Sequence, residues 1–279
     1  MVTSNDLKKT MVCTCIADVC KANGWNYEEN VKTSKWKADV VVEYGNYKVA
    51  FNVCKRPCKV EEKYQVMREE RVCGCWLLLP TNHTPSIDRK LPCFYIKESA
   101  NGVSVCFDAP FYWEKSSIIK LSDFAKSIVE GHVRWADKMN VRYIEVCFFN
   151  YRCWKCGTNN HVYFISRVFS DDGISVNFFN WCGDTNIAFH PFVVKAINDH
   201  IANHPELGIM LGAVKPRYSK TVDDTYMSFG CCKCDSIFGD FFIQDAIMDY
   251  CYEIDSLQKI RIDVGAANLI VPAQCWYIR

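Results

Sequence analysis

The sequence predicts a mixed α/β fold in two parts. An α/β domain is expected over residues 1–110, a helical connection over 111–140, and a strand-rich, metal-clasped domain over 141–279. Three observations predict this division. Periodic segments at the N-terminal end follow the order helix, hairpin, helix, buried strand. Beyond about residue 140 the texture turns to short strands. Two Cys-x-x-C steps, Cys153/Cys156 and Cys231/Cys234, lie inside that second part.

The first helix is expected from about Ser4 to Asn23. Leu7, Met11, Val12, Cys15, Ile16 and Val19 recur at helical spacing, Ser4 is a candidate cap, and Gly24 stands just past the end. Lys37 to Glu43 is apolar and β-branched, Gly45-Asn46 supplies a turn, and Tyr47 to Val53 returns, which predicts a hairpin. A charged helix follows over Val60 to Arg71. The uninterrupted apolar run Cys75 to Leu79, ended by Pro80, reads as a central strand covered on both faces. Short strands are expected at Cys93 to Lys97 and Val103 to Phe107, then a helix at Leu121 to Glu130, capped by Ser122 and stopped by Gly131.

In the second part, strands are expected at Arg142 to Phe149, His161 to Phe169 and Ile174 to Trp181. Phe192 to Ala202 reads as a helix, and Tyr226 to Gly230 runs into the second cysteine pair. The tail is strand-like at Lys259 to Val264, Leu269 to Val271 and Cys275 to Ile278. No internal repeat and no low-complexity linker is visible.

With 49% apolar and 23% charged residues, the chain has the composition of a globular protein, which excludes wholesale disorder. A net charge of +1 gives no global pull towards nucleic acid or membrane. The N-terminus MVTSNDLKKT has no apolar signal core, and no stretch of 18 uncharged apolar residues occurs. A soluble, cytoplasmic protein with no membrane partner is therefore expected. The 18 cysteines sit in a long chain with ordinary helix and strand patterns, which fits a reducing compartment better than a disulfide scaffold.

Cys153-Trp-Lys-Cys156-Gly and Cys231-Cys-Lys-Cys234-Asp have the spacing of zinc knuckles. Two residues between thiolates turn the backbone around a metal and present both sulfurs to it. Two such turns complete a tetrahedral four-sulfur shell. Gly157 suits the tight turn because it tolerates a left-handed backbone. The expectation is one closed, structural zinc site, with 74 residues between the pairs. Cys13, Cys15, Cys20, Cys54, Cys58, Cys73 and Cys75 read as free thiols that pack as small hydrophobes. His200 and His204 read as ordinary helix-end histidines.

The run Ala38-Asp39-Val40-Val41-Val42, a turn, then Val49-Ala50-Phe51-Asn52-Val53-Cys54 resembles the nuclease core of bacterial CoiA-like competence proteins. The resemblance extends through Arg68 and Arg71 to Cys75-Trp76-Leu77-Leu78-Leu79, and to Leu121-Ser-Asp-Phe124 with Val133-Arg-Trp135. Tyr218-Ser219 to Tyr226, followed by Cys231-Cys-Lys-Cys234-Asp-Ser-Ile-Phe-Gly239-Asp240-Phe241-Phe242, resembles a zinc-ribbon segment of bacterial proteins of this kind. The resemblance implies a restriction-endonuclease-like fold of the PD-(D/E)XK type over the first part and a zinc ribbon in the second.

It also implies Mg²⁺-dependent DNA cleavage by two strand-end acids, with a Lys or Gln two residues after the second. Residues two apart share a strand face, so that spacing is geometric. Asp39 matches the first acid. Asn52 stands at the second acid position and Cys54 at the assisting position, while Glu43 is a candidate migrated carboxylate. Lys55 and Arg56, with Lys59 and Lys63 beyond them, form a basic cluster that can face phosphate. Trp154, at the first knuckle's tip, is a candidate for stacking on a base. Two readings stay open: a nuclease-family protein with an atypical site, or a zinc-stabilised module that binds nucleic acid or a protein partner without cleaving.

Overall fold

The computed structural model describes residues 8–81, 87–99, 102–107, 118–177, 187–251 and 253–279. The chain divides into two compact units, Met1–Asp137 with Gln274–Arg279, and Lys138–Ala273. Among the described residues, no helix is long and apolar enough to cross a membrane.

The first unit is built on a seven-stranded mixed sheet. Its strands lie in chain order: β1 (Tyr27–Lys32), β2 (Lys37–Tyr44), β3 (Tyr47–Cys54), β4 (Val72–Leu78), β5 (Cys93–Ser99), β6 (Gly102–Cys106) and β7 (Ile118–Lys120). The centre is parallel, β3 beside β4 and β4 beside β5, and the flanking pairs are antiparallel. A parallel step needs a crossover, and α2 (Val60–Glu69) supplies it between β3 and β4.

The sheet is the middle of three layers. Val12, Ile16 and Cys20 of α1 (Lys9–Asn23) join Leu121, Phe124, Ala125, Ile128 and Val129 of α3 (Leu121–Val129) over Val40, Val42, Phe51 and Leu77. On the opposite face, Val60 and Met67 of α2 pack with Val41, Ala50, Trp76 and Leu78. The apolar run through β4 is thus covered on both sides, as its unbroken hydrophobicity predicts. Gly74 makes the second face possible, since a Cβ there would stand 2.7 Å from the Trp76 ring and 2.8 Å from the Met67 sulfur.

Local signals set several boundaries. α1 ends because Gly24 takes φ 67° and donates its N–H to the Cys20 and Lys21 carbonyls. Its candidate cap, Ser4, lies outside the described residues. β2 and β3 meet across a two-residue loop with Gly45 at φ 59° and Tyr44 opposite Tyr47. Ser122 does not cap α3. Lys120 holds the cap position, because buried Leu121 already belongs to the first turn.

Residues 111–140 differ from the connection expected of them. Their described part supplies β7 and α3, and α3 carries five core residues of the first unit. The unit boundary falls instead within β8 (Val133–Asn140) and β15 (Ile270–Ile278), which pair as a two-stranded ladder. The two tail strands expected at Leu269 and Cys275 are this one strand. Pro272 is tolerated there because the ladder has no third strand to require its N–H.

The second unit holds a four-stranded antiparallel sheet in the order β11-β10-β9-β14. These are β9 (Tyr143–Arg152), β10 (Asn159–Phe169), β11 (Ser175–Asn177) and β14 (Gln258–Asp263). Trp181, the expected end of β11, lies outside the described residues. A hairpin of β12 (Lys215–Ser219) and β13 (Asp224–Ser228) stands apart from that sheet, and α4 (Pro191–Asn203) and α5 (Asp240–Cys251) complete the unit. Its core is aromatic. Phe229 and Phe238 pack on Tyr163 and Tyr151 with ring centroids 4.9 and 4.8 Å apart.

Candidate metal centre

Each cysteine pair sits in a turn that its own backbone closes. Residues 153–158 link β9 to β10, and residues 231–236 follow β13. The Cys153 N–H donates to the Thr158 carbonyl and the Gly157 N–H to the Cys153 carbonyl, both at 2.9 Å. The second turn repeats this with Cys231 to Ser236 at 2.9 Å and Asp235 to Cys231 at 3.0 Å. The residue after each second cysteine is left-handed, Gly157 at φ 71° and Asp235 at φ 56°. Hydroxyls occupy matching places too, Thr158 Oγ1 being 3.3 Å from Cys156 Sγ and Ser236 Oγ 3.2 Å from Cys234 Sγ.

The two turns face each other and bring their sulfurs together. Cys153 Sγ lies 3.7 Å from Cys234 Sγ, and Cys156 Sγ lies 3.6 Å from Cys231 Sγ. All four ligand atoms fall within 4.8 Å of one another. A tetrahedral ion with metal–sulfur bonds of about 2.3 Å has sulfur–sulfur edges of about 3.8 Å. A disulfide would need about 2.05 Å. The four cysteines therefore have the donor set and spacing to hold one metal ion. Burial pushes the Cys153 thiol up to about 11, whereas the Thr158 hydroxyl and backbone N–H draw Cys156 down to about 6.

Residues outside the cysteine motif hold the turns in place. Buried Asn160 accepts the Cys232 N–H at 2.8 Å and donates to the Thr158 carbonyl at 2.8 Å, so one amide joins both turns. Trp154 Nε1 donates to the Ile237 carbonyl at 2.9 Å, while its side chain stays exposed. Behind the second turn, buried Arg217 donates to the Ser228 carbonyl at 2.7 Å and pairs with Asp235, which Lys215 also meets at 2.6 Å. Those partners hold the Asp235 carboxyl below the usual carboxylate range.

The sequence carried a signal for part of this support. Cys-x-Lys-Cys-Gly-Thr and Cys-x-Lys-Cys-Asp-Ser are one six-residue pattern repeated, at 153–158 and 231–236. Nothing local marks Asn160 or Arg217, whose roles depend on chain folding back from 72 and 18 residues away.

The strand-end residues of the first unit are arranged differently. β2 and β3 stay in register from Tyr44↔Tyr47 to Val40↔Phe51. Just beyond, Asp39 Oδ2 accepts the buried Val53 N–H at 2.7 Å, so a carboxylate continues the ladder. Its other oxygen meets Lys9 Nζ of α1 at 2.6 Å. Asn52 is half-buried and its amide donates to the Ala50 carbonyl at 3.4 Å. Cys54 is half-buried as well, its thiol pushed up by burial and then by Asp39, against the Lys9 and Lys63 charges.

Glu43 is not beside Asp39. It stands opposite Lys48, pairs with it at 2.6 Å, and lies four residues along the strand, about 13 Å away. Lys55 and Arg56 are exposed in the loop after β3. A Mg²⁺ ion would have to compete with the Lys9 ammonium for Asp39 and would find an amide, not a second carboxylate, at Asn52. The group does not fit Mg²⁺.

Compared with protein-family models, curated proteins and solved structures, the chain matches none of them.

Proposed function

We propose that the chain is a zinc-stabilised nucleic-acid-binding protein on a CoiA-like, nuclease-type α/β core that does not cleave. The observation that carries this reading is the state of Asp39. Its carboxylate is tied to Lys9 and to the Val53 N–H, with Asn52 and Cys54 where an acid and an assisting amine would be needed. The three-layer mixed sheet agrees with the restriction-endonuclease-like core that the resemblance implies. Zinc is the metal of choice because four thiolates form a closed tetrahedral shell without an open position for water. The buried thiols of Cys20, Cys75, Cys106 and Cys147 suit a reducing, cytoplasmic setting.

The test is a set of labelled single- and double-stranded DNA and RNA oligonucleotides incubated with metal-loaded protein and Mg²⁺. Binding without cleavage is the expected result. Cleavage that disappears in Asp39→Ala overturns the reading in favour of an active nuclease.

A further inference from the structure

We infer that the face formed by the twin knuckles binds single-stranded nucleic acid, with Trp154 stacking on a base and Lys155 and Lys233 meeting phosphates. The inference rests on the nucleic-acid reading above and assigns it a surface. The Trp154 side chain is 70% exposed although its indole N–H is anchored on Ile237. An anchored ring is a platform whose orientation is fixed before anything binds, which lowers the ordering cost of stacking.

Lys155 and Lys233 occupy the same position in the two turns, each one residue before the second cysteine. The two turns that carry these lysines meet at the four sulfurs. Both are exposed, and neither has a carboxylate partner among the described residues. The nearby carboxylate, Asp235, is already taken by Arg217 and Lys215. Phe241 and Phe242, 76% and 64% exposed, follow Ile237 by four and five residues and offer further rings.

Two features select the occupant. Base faces are hidden inside a duplex and open in a single strand, so an exposed ring favours the latter. Lysines flanking the ring match phosphates, whereas protein interfaces are depleted in lysine. The competing role for the lysines is to balance the negative charge of a four-thiolate metal site.

Fluorescence anisotropy with a labelled oligonucleotide, single-stranded and as a duplex, tests this on the full metal-loaded chain. Wild type is expected to prefer the single strand. Trp154→Ala should weaken that binding by about tenfold or more and leave duplex binding unchanged. Lys155→Gln with Lys233→Gln should lower the slope of log affinity against log salt by about 1.4, with metal content unchanged. If Trp154→Ala does not fold, the lysine pair decides alone.

Wild-type-like binding by both variants overturns the assigned face and leaves the nucleic-acid reading standing. No binding of any oligonucleotide by wild type overturns both. Loss of metal at an unchanged salt slope in the lysine pair assigns those side chains to the metal's charge and ends the inference.

Discussion

The Lys9 ammonium on α1 meets the Asp39 carboxylate on β2 at 2.6 Å, and the second Asp39 oxygen holds the Val53 N–H of β3. One side chain thus fastens a helix to a strand and repairs the ladder between two strands. These two duties differ in energy. The Lys9 side chain is half exposed, so its ion pair contributes less than about 1 kcal/mol. The Val53 N–H is buried, and removing its acceptor costs about 1–3 kcal/mol.

Asp39→Ala should therefore destabilise the first unit by about 1–3 kcal/mol, Lys9→Met by less than about 1 kcal/mol, and Asp39→Asn by an intermediate amount because it keeps an acceptor. Chemical denaturation of the three variants checks the order. Equal losses for Lys9→Met and Asp39→Ala would show that the ion pair, not the ladder bond, is what Asp39 provides.

Elemental analysis should find about one zinc per chain, and Cys153→Ser or Cys231→Ser should release it and lower the melting temperature. After removal by a chelator, exposed Cys156 should be alkylated before buried Cys153, since its thiol is drawn down to about 6 while Cys153 is held up near 11. Mass spectrometry of the labelled peptides reads this directly. A metal-free chain with an unchanged melting curve would sink the clasp.

Gly212→Ala should cost about 1–3 kcal/mol and weaken metal retention. A Cβ at Gly212 would lie 1.9 Å from the Gly230 carbonyl oxygen, and Gly230 directly precedes Cys231. Backbone cannot swing aside as a long side chain can. Thermal melting together with a competition titration against a colorimetric zinc chelator reads both effects; a wild-type result in each removes this contact from the account.

His161 gives a pH dependence with a defined sign. Its Nδ1 accepts the Met210 N–H at 3.0 Å, which requires the neutral ring, and burial holds its pKa below the ordinary value. The unfolded chain therefore takes up the proton first, near pH 6.5. The contribution is present above that pH and is lost as pH falls through the folded value. The melting-temperature advantage of wild type over His161→Ala should accordingly shrink between pH 7 and pH 5. Proton competition for the thiolates acts on both proteins and cancels in the difference. A constant gap across that range would refute the assignment.

Strong local patterns made much of the first unit legible. The β-branched runs of β2 and β3, the Gly45-Asn46 loop and the unbroken apolar run of β4 each specify their structure within a few residues. β1, β7, β8 and β12 carry no comparable local pattern. Tyr-Glu-Glu-Asn-Val-Lys in β1 is mostly exposed, so it carries no buried alternation, and only its pairing with β2 makes it a strand. α5 is weakly marked as well: Phe241 and Phe242 point to solvent, and among the described residues Ile243 and Ile247 mark its buried side.

By itself the sequence determined which four cysteines meet, because the two-residue spacing and the left-handed position after each pair are local requirements of the backbone. It also determined that residue 52 is an amide and residue 54 a thiol. Only the tertiary structure decided what Asp39 does instead. Its partners, Lys9 and the Val53 N–H, lie 30 residues upstream and 14 residues downstream, and an ion pair across elements leaves no periodic trace in the chain. The same holds for Asn160, which binds both knuckles through backbone groups that any sequence would present, and for Arg217, whose pairing with the Asp235 carboxylate spans 18 residues.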